Sequence, residues 1–138
     1  MSPRFSIVTA ATLAAAVAVP VAPAAPWIMQ HGMTDAAYQQ YSNNDLPAGY
    51  RPFAVNVHGS GADQRFAAIW IDDNQDDWVA RHNMTSDIYQ IFAQDFDALG
   101  YRVVSVDATG EFPNEEYIAA WLNDNTPDSD WAAVHRRT

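Results

Sequence analysis

The sequence contains no cysteine and no lysine. Without cysteine, no disulfide can staple the fold and no thiolate set can hold a metal. Without lysine, neither a Ser-x-x-Lys nucleophile nor a Schiff base can form from these residues. Positive charge is scarce: seven arginines face seventeen carboxylates, for a formal net charge of −10. Nucleic-acid phosphates and anionic membrane surfaces would be repelled, so neither is an expected partner. The charge reads as an acidic, soluble, self-repelling surface. Gly-x-Ser-x-Gly, His-Glu-x-x-His and a phosphate-binding glycine loop are also missing. No cofactor is expected.

What is present can build a core. Apolar residues make up 49% of the 138, with five Trp, six Tyr and six Phe. That excludes a disordered tail and suits one small domain or two very small ones.

Arg4 precedes an apolar run from Phe5 to Val21, rich in Ala and Val, and Ala22-Pro23-Ala24 follows with small residues. These are the three parts of a secretory signal peptide over residues 1–24. The run is short and Ala-rich with a cleavage site behind it, which favours cleavage over a transmembrane anchor. The mature chain is expected to start near Ala25 and to be secreted, its net charge moving from −10 to −11 as Arg4 is lost. In a eukaryotic host, Asn83-Met84-Thr85 would be an N-glycosylation sequon.

The rest of the chain repeats itself. Residues 27–77 align without a gap on 78–128, with 16 identities in 51 positions. They include Trp27 with Trp78, His31 with His82, Gly49-Tyr50-Arg51 with Gly100-Tyr101-Arg102, and Trp70 with Trp121. Trp131-x-x-x-His135 restarts the pattern. The expected organisation is repeat 1 at 27–77, repeat 2 at 78–130 and a truncated third copy at 131–138.

Each copy predicts an α+β unit, a short helix plus a β-hairpin. Thr85 suits a helix N-cap. Ile88, Ile91, Phe92, Phe96 and Leu99 then follow helical spacing, and Gly100 ends the helix. Tyr101 to Val106 and Tyr117 to Leu122 read as strands, with Gly110 and Pro113 in the turn. In repeat 1, Asp45 replaces Phe96 and Pro47 replaces Ala98, which predicts a shorter, less buried helix. A period near 50 also suits kelch blades. The capped helix and the lack of Gly-Gly exclude them.

Residues shared by both copies are expected to serve the copy's own fold. Trp27, Trp70, Trp78, Trp121, Tyr50 and Tyr101 read as core or repeat-interface anchors. His31, His82 and His135 occupy one slot beside a Trp and read as structural. Arg51 and Arg102 are expected to pair with local carboxylates or to stack on aromatics. Among unshared residues, His58 and Ser60 in a Gly-rich loop suggest nucleophilic catalysis, but no carboxylate is placed to orient the His. A polar turn explains them more simply. The run from Asp72 to Asp77 could offer oxygen to Ca²⁺, but it lacks EF-hand spacing and reads as a solvated loop. No catalytic residue and no metal ligand is assigned.

The set Trp27-x-x-x-His31-x-Met33-Thr34, Gly49-Tyr50-Arg51 and Arg65-Phe66-Ala67-Ala68-Ile69-Trp70 resembles the bacterial tandem repeat that also forms the N-terminal domain of secreted fungal polyglycine hydrolases. In that family the repeats precede a β-lactamase-like serine hydrolase domain with a Ser-x-x-Lys nucleophile, and no residue here matches that motif. The resemblance implies a non-catalytic repeat region with a structural or substrate-facing role. Its expected partners are further repeats or the missing catalytic domain, or an extracellular protein or glycan. The alternative is the N-terminal fragment of a secreted serine hydrolase, an endoprotease. Two copies without disulfides are expected to be marginally stable or to self-associate.

Overall fold

The computed structural model describes residues 24–125. The third copy over 131–138 lies outside them, as do residues 126–130 and the signal peptide apart from Ala24. Each repeat is a strand, a helix and two more strands. Repeat 1 runs β1 (Trp27–Met33), α1 (Asp35–Gln40), β2 (Tyr50–His58) and β3 (Arg65–Asp72); repeat 2 runs β4 (Trp78–Thr85), α2 (Ser86–Ala98), β5 (Arg102–Thr109) and β6 (Glu116–Leu122). The expected hairpin is present in each, β2 with β3 and β5 with β6. The strand at the start of each copy is an addition to the expected unit. It lies antiparallel on the far side of the last strand, giving sheets ordered β1-β3-β2 and β4-β6-β5. The Trp-x-x-x-His segment is therefore a strand, and both Trp-to-Trp spacings lie within one sheet.

The helix ends follow from local chemistry. Thr34 Oγ1 accepts from the Ala37 N–H at 3.3 Å, and Thr85 Oγ1 accepts from the Ile88 N–H at 3.4 Å. Each satisfies a donor that the first helical turn leaves without a partner. At the other end of α2, the Gly100 N–H donates to Asp97 O and the Tyr101 N–H to Phe96 O, both at 2.9 Å. Gly100 takes φ +87°, the left-handed conformation that this closing motif needs. Tyr101 packs on Phe96 with ring centroids 5.8 Å apart, completing the seal. The helix of repeat 1 is shorter: six residues, continued by a π-helical turn over Tyr41–Asp45.

The buried face of α2 differs from the expected one. Tyr89, Phe92, Ala93 and Phe96 pack against Trp121, Tyr117 and Val103. Ile88, Ile91 and Leu99 are instead exposed, at 43%, 51% and 66%. Both stripes have helical spacing, and the aromatic one wins because Tyr89 and Phe96 lie against the buried Trp121 ring.

Opposed residues in an antiparallel sheet share a face. In repeat 1 the helix-side face holds Pro52 opposite Trp70, Val55 opposite Ala68 and Val57 opposite Phe66. Helix α1 leans on β1 and β3. The remaining part of the face, over β2, is covered by repeat 2: Ile118 of β6 joins Tyr38, Val55, Val57, Phe66, Ala68 and Trp70 in one cluster. One repeat thus supplies part of the other's core.

Candidate functional site

The junction of the two repeats gathers most of the polar chemistry. Strand β2 is an edge strand, and its outward N–H groups would otherwise need water. The Val55 N–H donates to Ser105 Oγ at 3.0 Å, and the Val57 N–H donates to the Asp107 carboxylate at 2.9 Å. Asn56 Nδ2 donates to the same carboxylate oxygen at 2.5 Å. Thr109 Oγ1 donates to Gly59 O at 2.8 Å, and Gln64 Nε2 to Glu116 Oε2 at 2.6 Å. Strands β2 and β5 therefore run side by side in the same direction, linked through side chains and not through a backbone ladder.

His82 closes the other end of the junction. Its Nε2 lies 2.6 Å from Asp35 Oδ1, and Asn83 Nδ2 donates to that same oxygen at 3.0 Å. The imidazole meets Tyr38 and Phe66 edge-on, with centroids 5.1 and 5.5 Å apart. Its counterpart His31 is exposed, because no repeat precedes it among the described residues. The shared His is thus a clasp between repeats. The Trp slot splits in the same way: Trp78 lines the junction, whereas Trp27, expected as an anchor, is 64% exposed. Trp70 and Trp121 are fully buried. Tyr101 donates from its hydroxyl to Asp77, and that bond, more than burial, holds its pKa above the ordinary value. Tyr50 packs at the margin of the first core.

A cavity of about 180 Å³ opens between the repeats, lined by Tyr38, Ser42, Trp78, Arg81 and His82 among others. The Tyr38 hydroxyl and Ser42 Oγ are buried, and neither makes a well-formed hydrogen bond among the described residues. A nucleophile must reach its base. Here the hydrogen-bonding partner of His82 is Asp35 alone among the described residues, so no Ser–His pair forms. Burial pushes the Tyr38 pKa up to about 12, against a smaller lowering by the Ser42 hydroxyl. The folded chain holds this proton to about pH 12, while an unfolded tyrosine releases it near 10. The contribution is fully present below pH 10 and is lost as pH rises through the window above it. Stability is expected to fall by about 2 kcal/mol between pH 10 and 12. Denaturation midpoints measured across that range check this, and Tyr38→Phe should flatten the fall.

The arginines shared by the two copies bind locally. Arg51 donates through Nε and Nη2 to the Asp73 carboxylate, the shortest contact being 2.5 Å; Arg102 does the same to Asp124 at 3.0 and 2.5 Å. Each clamps the start of the middle segment of a repeat to the loop after its last strand. Asp73, at the heart of the acidic run, is thereby committed to an arginine. Arg51→Ala leaves that half-buried carboxylate without its cation and is expected to cost about 2 kcal/mol, read from urea unfolding.

The remaining candidates are not brought together. His58 and Ser60 are exposed at the β2–β3 turn, and no carboxylate hydrogen-bonds His58 among the described residues. Asn83 is exposed in the β-bulge of β4 at φ 54°, where repeat 1 has Gly32 at φ 65°. Its Nδ2, the atom a glycan would occupy, faces Asp35. Among the described residues no cluster of three or more His, Asp or Glu is grouped to hold a metal. The sequence offered the shared Trp as core or repeat-interface anchors and the shared His as structural, and it did not separate Trp78, at the junction, from the exposed Trp27.

The polyglycine hydrolase-like structural repeat matches the chain twice, over residues 24–72 and 75–123, more than half of its length. The chain belongs to this repeat family. The two matches start 51 residues apart, so the family unit repeats with the same period as the His and Trp slots. Arg51 with Trp70, and Arg102 with Trp121, lie within the two matched units, and the carboxylates that the arginines hold, Asp73 and Asp124, each stand one residue beyond them.

Proposed function

We propose that the chain is a secreted, non-catalytic scaffold whose repeats present surface to an extracellular partner. The observation that carries this reading is the use made of polar groups at the junction and in the clamps. His82 clasps Asp35, and Arg51 and Arg102 clamp Asp73 and Asp124. The groups best suited to acid–base work or anion binding are already engaged in holding the fold. Secretion is supported by the charged start, apolar run and small-residue site of residues 1–24.

The test is direct. The purified chain, incubated with a glycine-rich peptide, is expected to leave it intact. Cleavage that survives further purification and is lost in His58→Ala would overturn the non-catalytic reading. N-terminal sequencing of secreted material should begin near Ala25, and retention in the cell would refute secretion.

The family description ties the repeat to polyglycine hydrolases. It favours a second reading, in which these repeats lead into a serine hydrolase domain. A Ser-x-x-Lys motif in the coding sequence downstream of Thr138 would establish that reading. A secreted product with the mass of the mature chain would count against it.

A further inference from the structure

The contact between the two repeats is not symmetric, and that asymmetry has a consequence for the outer faces. Repeat 1 offers the helix-side face of β2 and its edge. Repeat 2 answers with the opposite face of its own sheet, through Ser105, Asp107 and Ile118. Contacts of this kind join unlike surfaces, and among the described residues one of each is left uncovered.

Both leftover surfaces are present. The residues of β5 equivalent to Val55 and Val57 are Val106 and Ala108. Val55 is 6% exposed under Ile118, while Val106 is 44% exposed. On repeat 1, the face equivalent to the one bearing Ile118 and Ala120 carries Met29, Ala54, Asn56, Ala67 and Ile69. In repeat 2 that face is covered, Ile118 and Ala120 being fully buried; in repeat 1 it forms an open apolar groove of about 160 Å³, and Met29 beside it is 53% exposed.

We propose that a second copy of this chain docks here head to tail, the β5 edge of one copy seated on the outer face of repeat 1 of the next. The contact repeats the one already made inside the chain, and two of its polar slots translate, while the slot of Ser105 falls to Ala54, which has no hydroxyl. Asn56 Oδ1 stands where the Asp107 carboxylate accepts the Val57 N–H, and can accept the Ala108 N–H. His58 stands where Thr109 donates to Gly59 O, and can donate to Gly110 O. Ala67 takes the place of Ile118. The charges are complementary as well. Across the junction inside the chain Gln64 meets Glu116; in the head-to-tail contact the equivalent positions are Glu115 of one copy and Arg65 of the next, a pair of opposite charge. Because the surfaces differ, association has no reason to stop at a dimer.

Sedimentation velocity of the full mature chain over a range of concentrations tests this. The weight-average mass is expected to rise with concentration past that of a dimer. Ala67→Asp and Val106→Asp each block one end, so each variant alone should be monomeric. Mixed, they should form a dimer and nothing larger, since each retains the surface the other lacks. That rescue also shows that both variants are folded. A monomer at every concentration, a closed dimer of the parent chain, or no complex in the mixture would overturn the proposal. This inference names a partner for the scaffold proposed above and rests on that reading. A monomeric parent would refute the docking alone, whereas cleavage of the glycine-rich peptide would refute the scaffold.

Discussion

Trp121→Ala is expected to cost about 3–5 kcal/mol, a large part of the roughly 5–15 kcal/mol that holds a small domain together. Trp121 is fully buried and touches the packing of every strand of repeat 2: it lies opposite Val79 on β4 and Val103 on β5. Phe96 of α2 sits 5.0 Å from it, and Tyr89 6.2 Å. Removing the indole leaves a cavity that rigid β-strands cannot close, so the lost contacts are not regained. Urea unfolding followed by circular dichroism should show the midpoint collapse. Trp27→Ala makes the same chemical change and should cost less than about 0.5 kcal/mol, because that side chain is 64% exposed. Equal losses at the two positions would refute the core assignment.

Ile118→Asp is expected to have the second largest effect, and a different signature. Ile118 belongs to repeat 2 by sequence but sits in the core of repeat 1, between Val55, Val57 and Phe66. A carboxylate in this apolar cluster must be desolvated, which costs about 3 kcal/mol or more. The wild-type chain should unfold in one transition, because repeat 2 completes the core of repeat 1. The variant should separate into two transitions, or lose repeat 1 first. Calorimetry distinguishes these outcomes. The same substitution at the equivalent Ala67, on the open face of repeat 1, should leave the melting curve close to wild type at concentrations where both chains are monomeric. A single, unshifted transition in Ile118→Asp would show that the repeats are energetically independent.

The sequence made some features legible because their causes are local. Thr85 caps α2 and Gly100 closes it through bonds spanning three to five residues, so neighbouring residue types suffice to place them. The hairpins follow from β-rich runs around a Gly-containing turn. The α+β repeat and its doubling were readable because two copies of one pattern reinforce each other. The buried face of α2 was not readable. Ile88, Ile91 and Leu99 satisfy helical periodicity as well as Tyr89, Ala93 and Phe96 do. Only the position of the Trp121 ring decides between them. Pairing of the first strand with the last was equally hidden, since it joins Trp27 to Ile71 across the whole repeat.

The candidate site divides in the same way. The sequence alone determined that His31 and His82, and Trp27 and Trp78, are equivalent. The tertiary structure made them different. His82 and Trp78 face repeat 1, and His31 and Trp27 face solvent. A repeated motif encodes one local geometry many times, through short-range hydrogen bonds and side-chain pattern. Which copy is buried depends on what packs against it, and that is a long-range contact no single repeat can specify.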